Sequence, residues 1–521
     1  MLTVTVNSSG KALAMKKAPN IILIMTDSQG ANVVERYSGQ ATDTQHLDRM
    51  ADTGVRFDSA YTTCPLCTPA RAGLFTGMYS HQSGAWTNNL ALGSNIRHMG
   101  QIFQAEGYNT GYIGKWHLDG HDYFGTGICP QGWHPDYWYD GVNYLNELTE
   151  EEITLWRRGL NSPAELEAHE IKADFTWGHR ITNRGLQFIE QHRTEEKPFL
   201  LVLSYDEPHH PFTCPPKHVE KFKDFKFDLG EAAFDDLESK PLHHRLWSRA
   251  KGAGVGSQYF INPLYFGCND FVDEEIGRVL SHLDETELAN TWIVYTSDHG
   301  EMNGAHKLWG KGAAVYDEIT NIPLIIKNTD GEKAGTVIDR PVSHIDIMPT
   351  IMKLAHIEQP PIMPGHDLLE DTPAEREFNG VMVEFNRYEV EHDSNGGFIP
   401  VRGWITDTHK LVINLLGTDE LYDRVNDRAE IHNLIEHPDY IDVRNQLHDE
   451  LLAYMDHIRD TFRTFEWACR PWRPEKEREW MGLFRPRPAD GVAPIVRDYD
   501  TGLRPKALSV KTYNWLSRFK Y

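Results

Sequence analysis

The sequence has few cysteines, fewer basic than acidic residues, and no long apolar run. Its six cysteines are scattered over 521 residues, too sparsely for a disulfide framework, so we expect reduced thiols. Lys and Arg number 52 against 76 Asp and Glu, a formal net charge of −24, which argues against nucleic acid or an anionic membrane surface as a partner. No stretch approaches a membrane span of about 20 apolar residues, and the N-terminus lacks a signal-like apolar run. The absence of such runs predicts a cytoplasmic protein. Because the protein is acidic overall, any anionic substrate would require a local concentration of positive charge.

Short apolar runs alternate with helical patterns, such as the one over residues 270–284, through most of the chain. This alternation predicts an α/β fold with a large mixed, mainly parallel sheet flanked by helices. In such sheets ligands bind beyond the carboxyl ends of the strands. Polar residues should therefore share one sheet edge where they follow the predicted strands, namely Asp27 after 21–26, Lys115 and His117 after 109–113, Asp206 and His209 after 199–204, and Asp298 and His299 after 292–296.

The pattern changes after a proline-rich, acidic stretch at 360–375. Closely spaced short strands and then a helix predict a smaller C-terminal α+β domain with an antiparallel sheet. The last sixty residues interleave Trp and Phe with Arg and Pro, which predicts a tail that packs on the body or on a neighbouring subunit of a homo-oligomer. The predicted divisions are an N-terminal extension (1–18), a catalytic domain (19–375), a small domain (376–460) and the tail (461–521).

Residues 64–77, CPLCTPARAGLFTG, form the stretch with the most chemical content. If a helix begins here, Cys67 lies at its N-terminus, where free backbone N–H groups and the helix dipole favour an anion. Cys64 and Cys67 also form a C-x-x-C, so half of a zinc site or a redox pair are alternatives. No second C-x-x-C or H-x-x-x-H accompanies them.

The segment Cys67-Thr68-Pro69-Ala70-Arg71 resembles the Cys-x-Pro-x-Arg signature of type I formylglycine-dependent sulfatases, which belong to the alkaline phosphatase superfamily. The resemblance extends over most of residues 19–435, and GKWHLDGH at 114–121 closely resembles the YidJ-type sulfatases of enteric bacteria. It implies an alkaline phosphatase-like fold, and a maturation enzyme that oxidises the cysteine to formylglycine. In that family the hydrated aldehyde attacks sulfur with one hydroxyl and expels sulfate with the other.

Sulfate ester hydrolysis requires a metal, fixed cations, a strong nucleophile and an acid for the leaving alcohol. The resemblance implies a role for each matching residue. The catalytic residues are Cys67 as the modified nucleophile, Arg71 holding it and the metal-bound oxygen, Lys115 and His117 binding sulfate and assisting elimination, His209 as the acid, and Lys311 contacting sulfate.

The implied ligands of one divalent metal are Asp27, Ser28, Cys67, Asp298 and His299. Two of these positions depart from the family pattern. Many sulfatases have paired aspartates after the first strand, whereas here a neutral oxygen of Ser28 or Gln29 would complete the shell. Many also have asparagine at the position of His299, a histidine shared with phosphonate monoester hydrolases. Calcium is the expected ion, with manganese or zinc as alternatives because imidazole suits them.

The predicted activity is hydrolysis of a sulfate monoester of a small carbohydrate, since a polysaccharide would not normally reach the cytoplasm. There are two alternatives: a phosphonate monoester or phosphodiester hydrolase on the same scaffold, and a non-enzymatic anion-binding protein.

His344 and Asp346 are interpreted as a structural histidine and a helix cap. The predicted sugar contacts are Asp119, His121 and Asp122, together with Glu384, Asn386 and Arg387 from the small domain.

Overall fold

A computed structural model describes residues 17–158, 160, 162–250, 257–286, 288–370, 377–388, 398–415 and 417–462. The described residues belong to one compact unit. Nearly all of the predicted extension and tail lie outside them, so these two segments, and the boundary predicted at 375/376, stay predictions. Among the described helices, none is both long and apolar enough to cross a membrane.

Strands and helices alternate along the chain, as the sequence predicts. The strands are β1 (Asn20–Thr26), β2 (Val55–Phe57), β3 (Ala60–Tyr61), β4 (Asn109–Gly114), β5 (Trp138–Tyr139), β6 (Phe199–Ser204), β7 (Phe227–Asp228), β8 (Tyr259–Phe260), β9 (Thr291–Ser297), β10 (Leu324–Asn328), β11 (Thr336–Ile338), β12 (Val342–Ser343), β13 (Val381–Arg387), β14 (Phe398–Ile405), β15 (His409–Asn414) and β16 (Glu420–Asp423). The helices are α1 (Glu35–Ser38), α2 (Gln45–Thr53), α3 (Cys67–Thr76), α4 (Ser80–Ser83), α5 (Met99–Ala105), α6 (Gly141–Leu145), α7 (Glu150–Arg158), α8 (Pro163–Ala168), α9 (Trp177–His192), α10 (Pro216–Lys221), α11 (Leu242–Ala250), α12 (Pro263–Glu285), α13 (Asp317–Thr320), α14 (Ile347–Leu354) and α15 (Ile441–His457).

The central sheet has eight strands in the order β11-β2-β10-β9-β1-β6-β4-β5. Strands β9, β1, β6, β4 and β5 run parallel, and β10 runs antiparallel to β9. Alternate residues of β1 enter two separate apolar cores, with Ile21 and Leu23 in one and Ile22 and Ile24 in the other. Both faces of this strand are therefore buried, which confirms the predicted mixed, mainly parallel sheet with helices on both sides.

The carboxyl ends of β1, β4, β6 and β9 meet at one edge, as predicted. The register pairs Met25 with Ser204, Thr26 with Ser297, and Gly114 with Ser204. Gly114 has φ +121°, and a Cβ there would lie 1.9 Å from the Ser204 carbonyl oxygen. Only glycine fits this close approach, so β4 can end here and deliver Lys115 to the edge.

The C-terminal sheet is antiparallel, with the order β13-β14-β15-β16, which confirms that prediction. Its inner face shares an apolar core with Cys64 and Leu66, the residues just before α3. Helix α15 packs against the same sheet, with the rings of Trp404 and Tyr454 5.0 Å apart. The small sheet thus supports the segment that leads to Cys67.

Candidate active site

Helix α3 begins at Cys67, where the sequence predicts a helix N-terminus, and all ten of its residues are buried. No side chain of the preceding Leu66 caps it. The Thr68 N–H instead donates to Asn88 Oδ1 at 3.0 Å. The helix ends at Gly77, whose φ of +65° is a left-handed cap. Cys67 thus lies at the positive end of a fixed, fully packed helix.

The two cysteines of the C-x-x-C lie in different surroundings. Burial raises the pKa of the Cys64 thiol well above its usual value. Burial and Asp27 also oppose ionisation of Cys67, but Lys311 and other nearby cations outweigh them and lower the Cys67 pKa to about 6. In the described part of the chain, Cys64 joins no cluster of three potential metal ligands. This arrangement favours a nucleophile at Cys67 and a packing role for Cys64.

Asp27, Cys67, Asp298 and His299 form one buried group. One ligand atom from each lies within 4.8 Å of the others, which is the spread expected of ligands that share an ion at about 2.0–2.6 Å. The His299 Nδ1–H donates to the Gly300 carbonyl at 2.8 Å, so the lone pair is on Nε2, 3.3 Å from the Cys67 sulfur. Two carboxylates and an imidazole nitrogen fit a divalent metal.

The residues after Asp27 differ in their suitability as a further ligand. The Ser28 hydroxyl donates to Asp27 Oδ1 at 2.9 Å, which places its oxygen beside the metal-ligand group. The Gln29 amide points into the core, where its oxygen accepts from the Tyr295 hydroxyl and its nitrogen donates to Asn269 at 2.6 Å. Of the two alternatives, only Ser28 has its side chain at the group.

Arg71 is fully buried between the two carboxylates of this group. Its Nε donates to Asp298 Oδ2 at 3.0 Å and its Nη2 to Asp27 Oδ2 at 3.1 Å. Its Nη1 donates to the Lys115 carbonyl at 2.7 Å. The resemblance implied that Arg71 holds the nucleophile and the metal-bound oxygen, and these hydrogen bonds place its guanidinium against two carboxylates of the group that contains Cys67.

Two buried lysines complete the concentration of positive charge. Lys115 Nζ lies 2.8 Å from Asp27 Oδ2 and 2.8 Å from Asp206 Oδ1, and Lys311 Nζ lies 2.7 Å from the Cys67 sulfur. Burial opposes ionisation of Asp27, but Lys115 and Lys311 hold its pKa well below the usual value. Asp206 was predicted at this edge of the sheet but was assigned no role, and the structure pairs it with Lys115. Arg71, Lys115 and Lys311 thus offset three buried carboxylates, and the Lys311 ammonium places positive charge directly beside Cys67.

His117 and His209, the predicted proton-transfer residues, are both buried. Burial, with Lys115 acting in the same direction, lowers the pKa of each well below its usual value. The His117 Nε2–H donates to Asn89 Oδ1 at 3.0 Å, and the His209 Nδ1–H donates to the His210 carbonyl at 2.5 Å. Each imidazole is therefore neutral near pH 7, with one nitrogen left as an acceptor.

Four of the predicted sugar contacts lie wholly or partly at the surface. His121 and Asp122 have side chains that are 58% and 52% exposed and pair with each other at 3.1 Å. Asp119 is half-buried and accepts the Thr126 N–H at 3.0 Å. Arg387 is half-buried at the end of β13. These positions remain accessible to a substrate group.

Glu384 and Asn386, the other two predicted sugar contacts, are buried. The Glu384 carboxylate accepts from the Ser80 hydroxyl, pairs with His81 at 2.8 Å and lies 3.5 Å from Arg402. The Asn386 oxygen accepts from Arg402 at 3.1 Å. This placement argues against the predicted contacts, because both side chains are engaged beneath the surface.

His344 and Asp346 have the structural roles that the sequence predicts for them. The His344 Nε2–H donates to the Ser297 carbonyl at 2.8 Å. The Asp346 carboxylate accepts the Ser343 N–H at 2.9 Å as part of a capping box before α14. Neither belongs to the metal-ligand group.

Comparison with protein families gives two matches. The family model "Sulfatase" matches residues 19–357. A second model, described as the C-terminal region of N-sulphoglucosamine sulphohydrolase, matches residues 304–457. Together they span both the central sheet and the C-terminal sheet.

Comparison with individual proteins gives similar proteins of nearly the same length. The "Uncharacterized sulfatase YidJ" of Escherichia coli (strain K12) is 59% identical over 496 residues, covering 95% of this chain and 99% of that protein. The N-acetylglucosamine-6-O-sulfatase of Bacteroides thetaiotaomicron is 27% identical over 508 residues, covering 83% and 85%. Among solved structures, BT4656 in complex with its substrate D-glucosamine-2-N,6-O-disulfate aligns with a TM-score of 0.69 and 23% identity, covering 86% of this chain and 99% of that one. This last similarity confirms the predicted fold.

Proposed function

We propose, from the premise that this chain belongs to the sulfatase family and is a sulfuric ester hydrolase, that it hydrolyses the sulfate monoester of a small carbohydrate. The observation that carries the proposal is the position of Cys67 at the start of a buried helix, 2.7 Å from the Lys311 ammonium and beside three side chains that could ligate a metal. The 27% identity to an N-acetylglucosamine-6-O-sulfatase supports a sugar substrate. Family membership argues against the alternative of a non-enzymatic binding protein.

The proposal assigns each part of the reaction to a residue of the site. A formylglycine at position 67 and a divalent metal would supply the oxygen nucleophile and the charge stabilisation. Lys311 would bind a sulfuryl oxygen, because its ammonium lies beside Cys67. His209 presents Nε2 as an acceptor, so it would become the acid for the leaving alcohol by gaining a proton there when the anionic substrate binds. Lys115, which forms ion pairs with two carboxylates, would keep the net charge of the site constant.

The proposal also includes the conditions for maturation. The described cysteines are free thiols, which supports a reducing, cytoplasmic location. A maturation enzyme would oxidise Cys67 there. The homo-oligomer predicted from the tail stays a prediction, since the tail lies outside the described residues.

The test is a comparison of substrates with protein from its native host. The peptide that contains Cys67 should first show the loss of about 18 Da expected for thiol to aldehyde. We then expect sulfated monosaccharides to release sulfate with a kcat/KM at least about tenfold above that of aryl phosphonate monoesters, a difference of about 1.4 kcal/mol in activation free energy. Matured protein that releases no sulfate from any ester would reject the proposal.

The second candidate function is hydrolysis of phosphonate monoesters or phosphodiesters. It is favoured by His299 in the metal-ligand group and by Ser28, a neutral residue, after Asp27. The same substrate comparison decides between the two. A kcat/KM for aryl phosphonate esters above that for every sulfate ester would favour this candidate.

Removal of the metal should abolish most of the activity. Asp27, Asp298 and His299 offer ligand atoms within a span that suits one ion, and without that ion the site lacks the charge stabilisation proposed for the reaction. After dialysis against a chelator we expect activity to fall by about 10²-fold or more, and to return with Ca²⁺, Mn²⁺ or Zn²⁺. Elemental analysis of untreated protein would identify the resident ion, and protein dialysed against metal-saturated chelator is the control. Full activity in metal-free protein would contradict the assignment.

Arg387→Ala should weaken sugar binding selectively. Arg387 is half-buried at the end of β13, its guanidinium is expected to donate to the sugar, and loss of such a hydrogen bond should raise KM about tenfold. Turnover of a small aryl sulfate should stay unchanged, since that substrate has no sugar to contact. The control is Arg97→Ala, at an exposed arginine of another loop. An unchanged KM on the sugar substrate would remove Arg387 from the site.

A further inference from the structure

Asn89 makes a hydrogen bond to His117 for which the proposed reaction gives no role. Its Oδ1 lies 3.0 Å from His117 Nε2. Both residues have left-handed backbone conformations, with φ of +61° and +58°. Asparagine adopts this region readily, whereas a histidine there is uncommon. The surrounding structure therefore holds His117 in a specific orientation.

The hydrogen bond determines which nitrogen of His117 carries the proton. An amide oxygen only accepts, so Nε2 must be the protonated nitrogen of a neutral ring. Burial, reinforced by Lys115, keeps the ring neutral near pH 7. Nδ1 then has a lone pair, and it is buried without a hydrogen-bond partner among the described residues. A buried acceptor without a hydrogen bond destabilises the folded protein unless a ligand or a reacting proton meets it.

The segment that carries Asn89 is tied to the nucleophile helix as well. Asn88 Oδ1 accepts the N–H of Thr68, the residue after Cys67, at 3.0 Å. The Thr68 hydroxyl in turn donates to the His117 carbonyl at 3.0 Å. Two consecutive asparagines thus fix the start of α3 and the His117 ring relative to each other. The backbone of His117 is thereby tied to the residue that follows Cys67.

We propose that Asn89 is a positioning residue that holds His117 as its Nε2–H tautomer and leaves Nδ1 as the atom that accepts a proton during sulfate release. The inference rests on the proposed function and on the role in elimination that the family resemblance implies for His117. Asn89 itself touches no reacting atom. Asn89 acts through the His117 ring. Loss of its amide oxygen should therefore change mainly the tautomer of His117 and leave the rest of the site as it is.

The first test reads the tautomer directly and requires no activity. Protein labelled with ¹⁵N-histidine gives two ring nitrogen signals per residue, and those of His117 are identified by their disappearance in His117→Gln. We expect the wild-type Nε2 signal in the protonated range and the Nδ1 signal in the unprotonated range. Asn89→Ala should move both signals toward intermediate values, whereas Asn89→Asp, which keeps an acceptor, should preserve them. A wild-type ring protonated on Nδ1, or unchanged signals in Asn89→Ala, would overturn the proposal.

The second test separates positioning from simple damage to the fold. In Asn89→Ala we expect kcat to fall about 10²-fold with KM changed less than about twofold, because binding contacts remain. Asn89→Asp should recover at least about a tenth of wild-type kcat, and Asn95→Ala, at an exposed position on the same loop, should match wild type. Equal losses in the Ala and Asp variants would overturn the proposal. If the wild type hydrolyses no sulfate ester, the proposed function fails, and the nitrogen signals alone decide the role of Asn89.

Discussion

Cys67→Ala should lose about 10⁴-fold or more in turnover of every ester, because it removes the only proposed nucleophile. Cys67 lies at the start of α3, with the Lys311 ammonium at 2.7 Å and Asp27 Oδ1 at 3.8 Å. Nearby cations favour its thiolate, and no other cysteine among the described residues lies in the metal-ligand group. We measure kcat on a sulfated sugar and on an aryl sulfate.

Cys64→Ala is the matched control for this prediction. Both cysteines are buried and three residues apart, but Cys64 packs in an apolar core with the C-terminal sheet. We expect Cys64→Ala to keep turnover within about tenfold of wild type. Equal losses in the two variants, with an unmodified Cys67 in the wild type, would indicate that the C-x-x-C acts as a unit, as in a zinc or redox site. Thermal unfolding of each variant establishes that it is folded.

The sheet could be predicted because its signals are local. Residues 21–26 and 199–204 are continuous apolar runs, and the structure makes them β1 and β6 with bounds that differ by at most one residue. The positions of Asp27 and Asp298 follow directly, because each comes immediately after a buried parallel strand. The carboxyl ends of such strands meet at one edge. The common location of these carboxylates thus needed no knowledge of tertiary contacts.

The roles of several side chains could not be predicted, because they depend on partners distant in sequence. Glu384 is a polar residue in a predicted strand of the small domain and was predicted as a sugar contact, yet its carboxylate meets His81 and Arg402 in the interior. Gln29 follows a candidate ligand, but its amide nitrogen donates to Asn269 on α12, away from the site. Periodicity determines which face a residue occupies. It does not determine which polar group will be opposite.

The family resemblance supplied the candidate catalytic residues but not the hydrogen bonds that orient them. Arg71 was expected at the nucleophile, and the structure places its guanidinium against two carboxylates and a backbone carbonyl. Asn89 carries no motif, and only its distance to His117 identifies it. A motif records which residue types the chemistry requires, whereas the supporting contacts depend on the particular packing of this chain.

Arg71→Met should destabilise the protein far more than loss of an exposed ion pair. The Arg71 side chain is fully buried, and so are those of its partners Asp27 and Asp298. Methionine preserves much of the volume but leaves two carboxylates with less compensating charge. Removal of one partner from a buried ion pair costs about 3–5 kcal/mol. We expect a fall of that size in the free energy of unfolding of metal-free protein, measured by denaturant titration, together with loss of activity.

Arg49→Met is the control, because the Arg49–Asp284 pair has a similar distance, 2.8 Å, but side chains that are 65% and 48% exposed. Solvent screens this pair, so its loss should cost at most about 1 kcal/mol. A divalent metal should recover part of the Arg71→Met deficit, since an ion that binds only the folded state stabilises it and replaces the missing positive charge between Asp27 and Asp298. Equal destabilisation in the two variants would mean that Arg71 does not stabilise the carboxylates. Its role would then lie in binding the substrate, and the loss of activity would appear without a loss of stability.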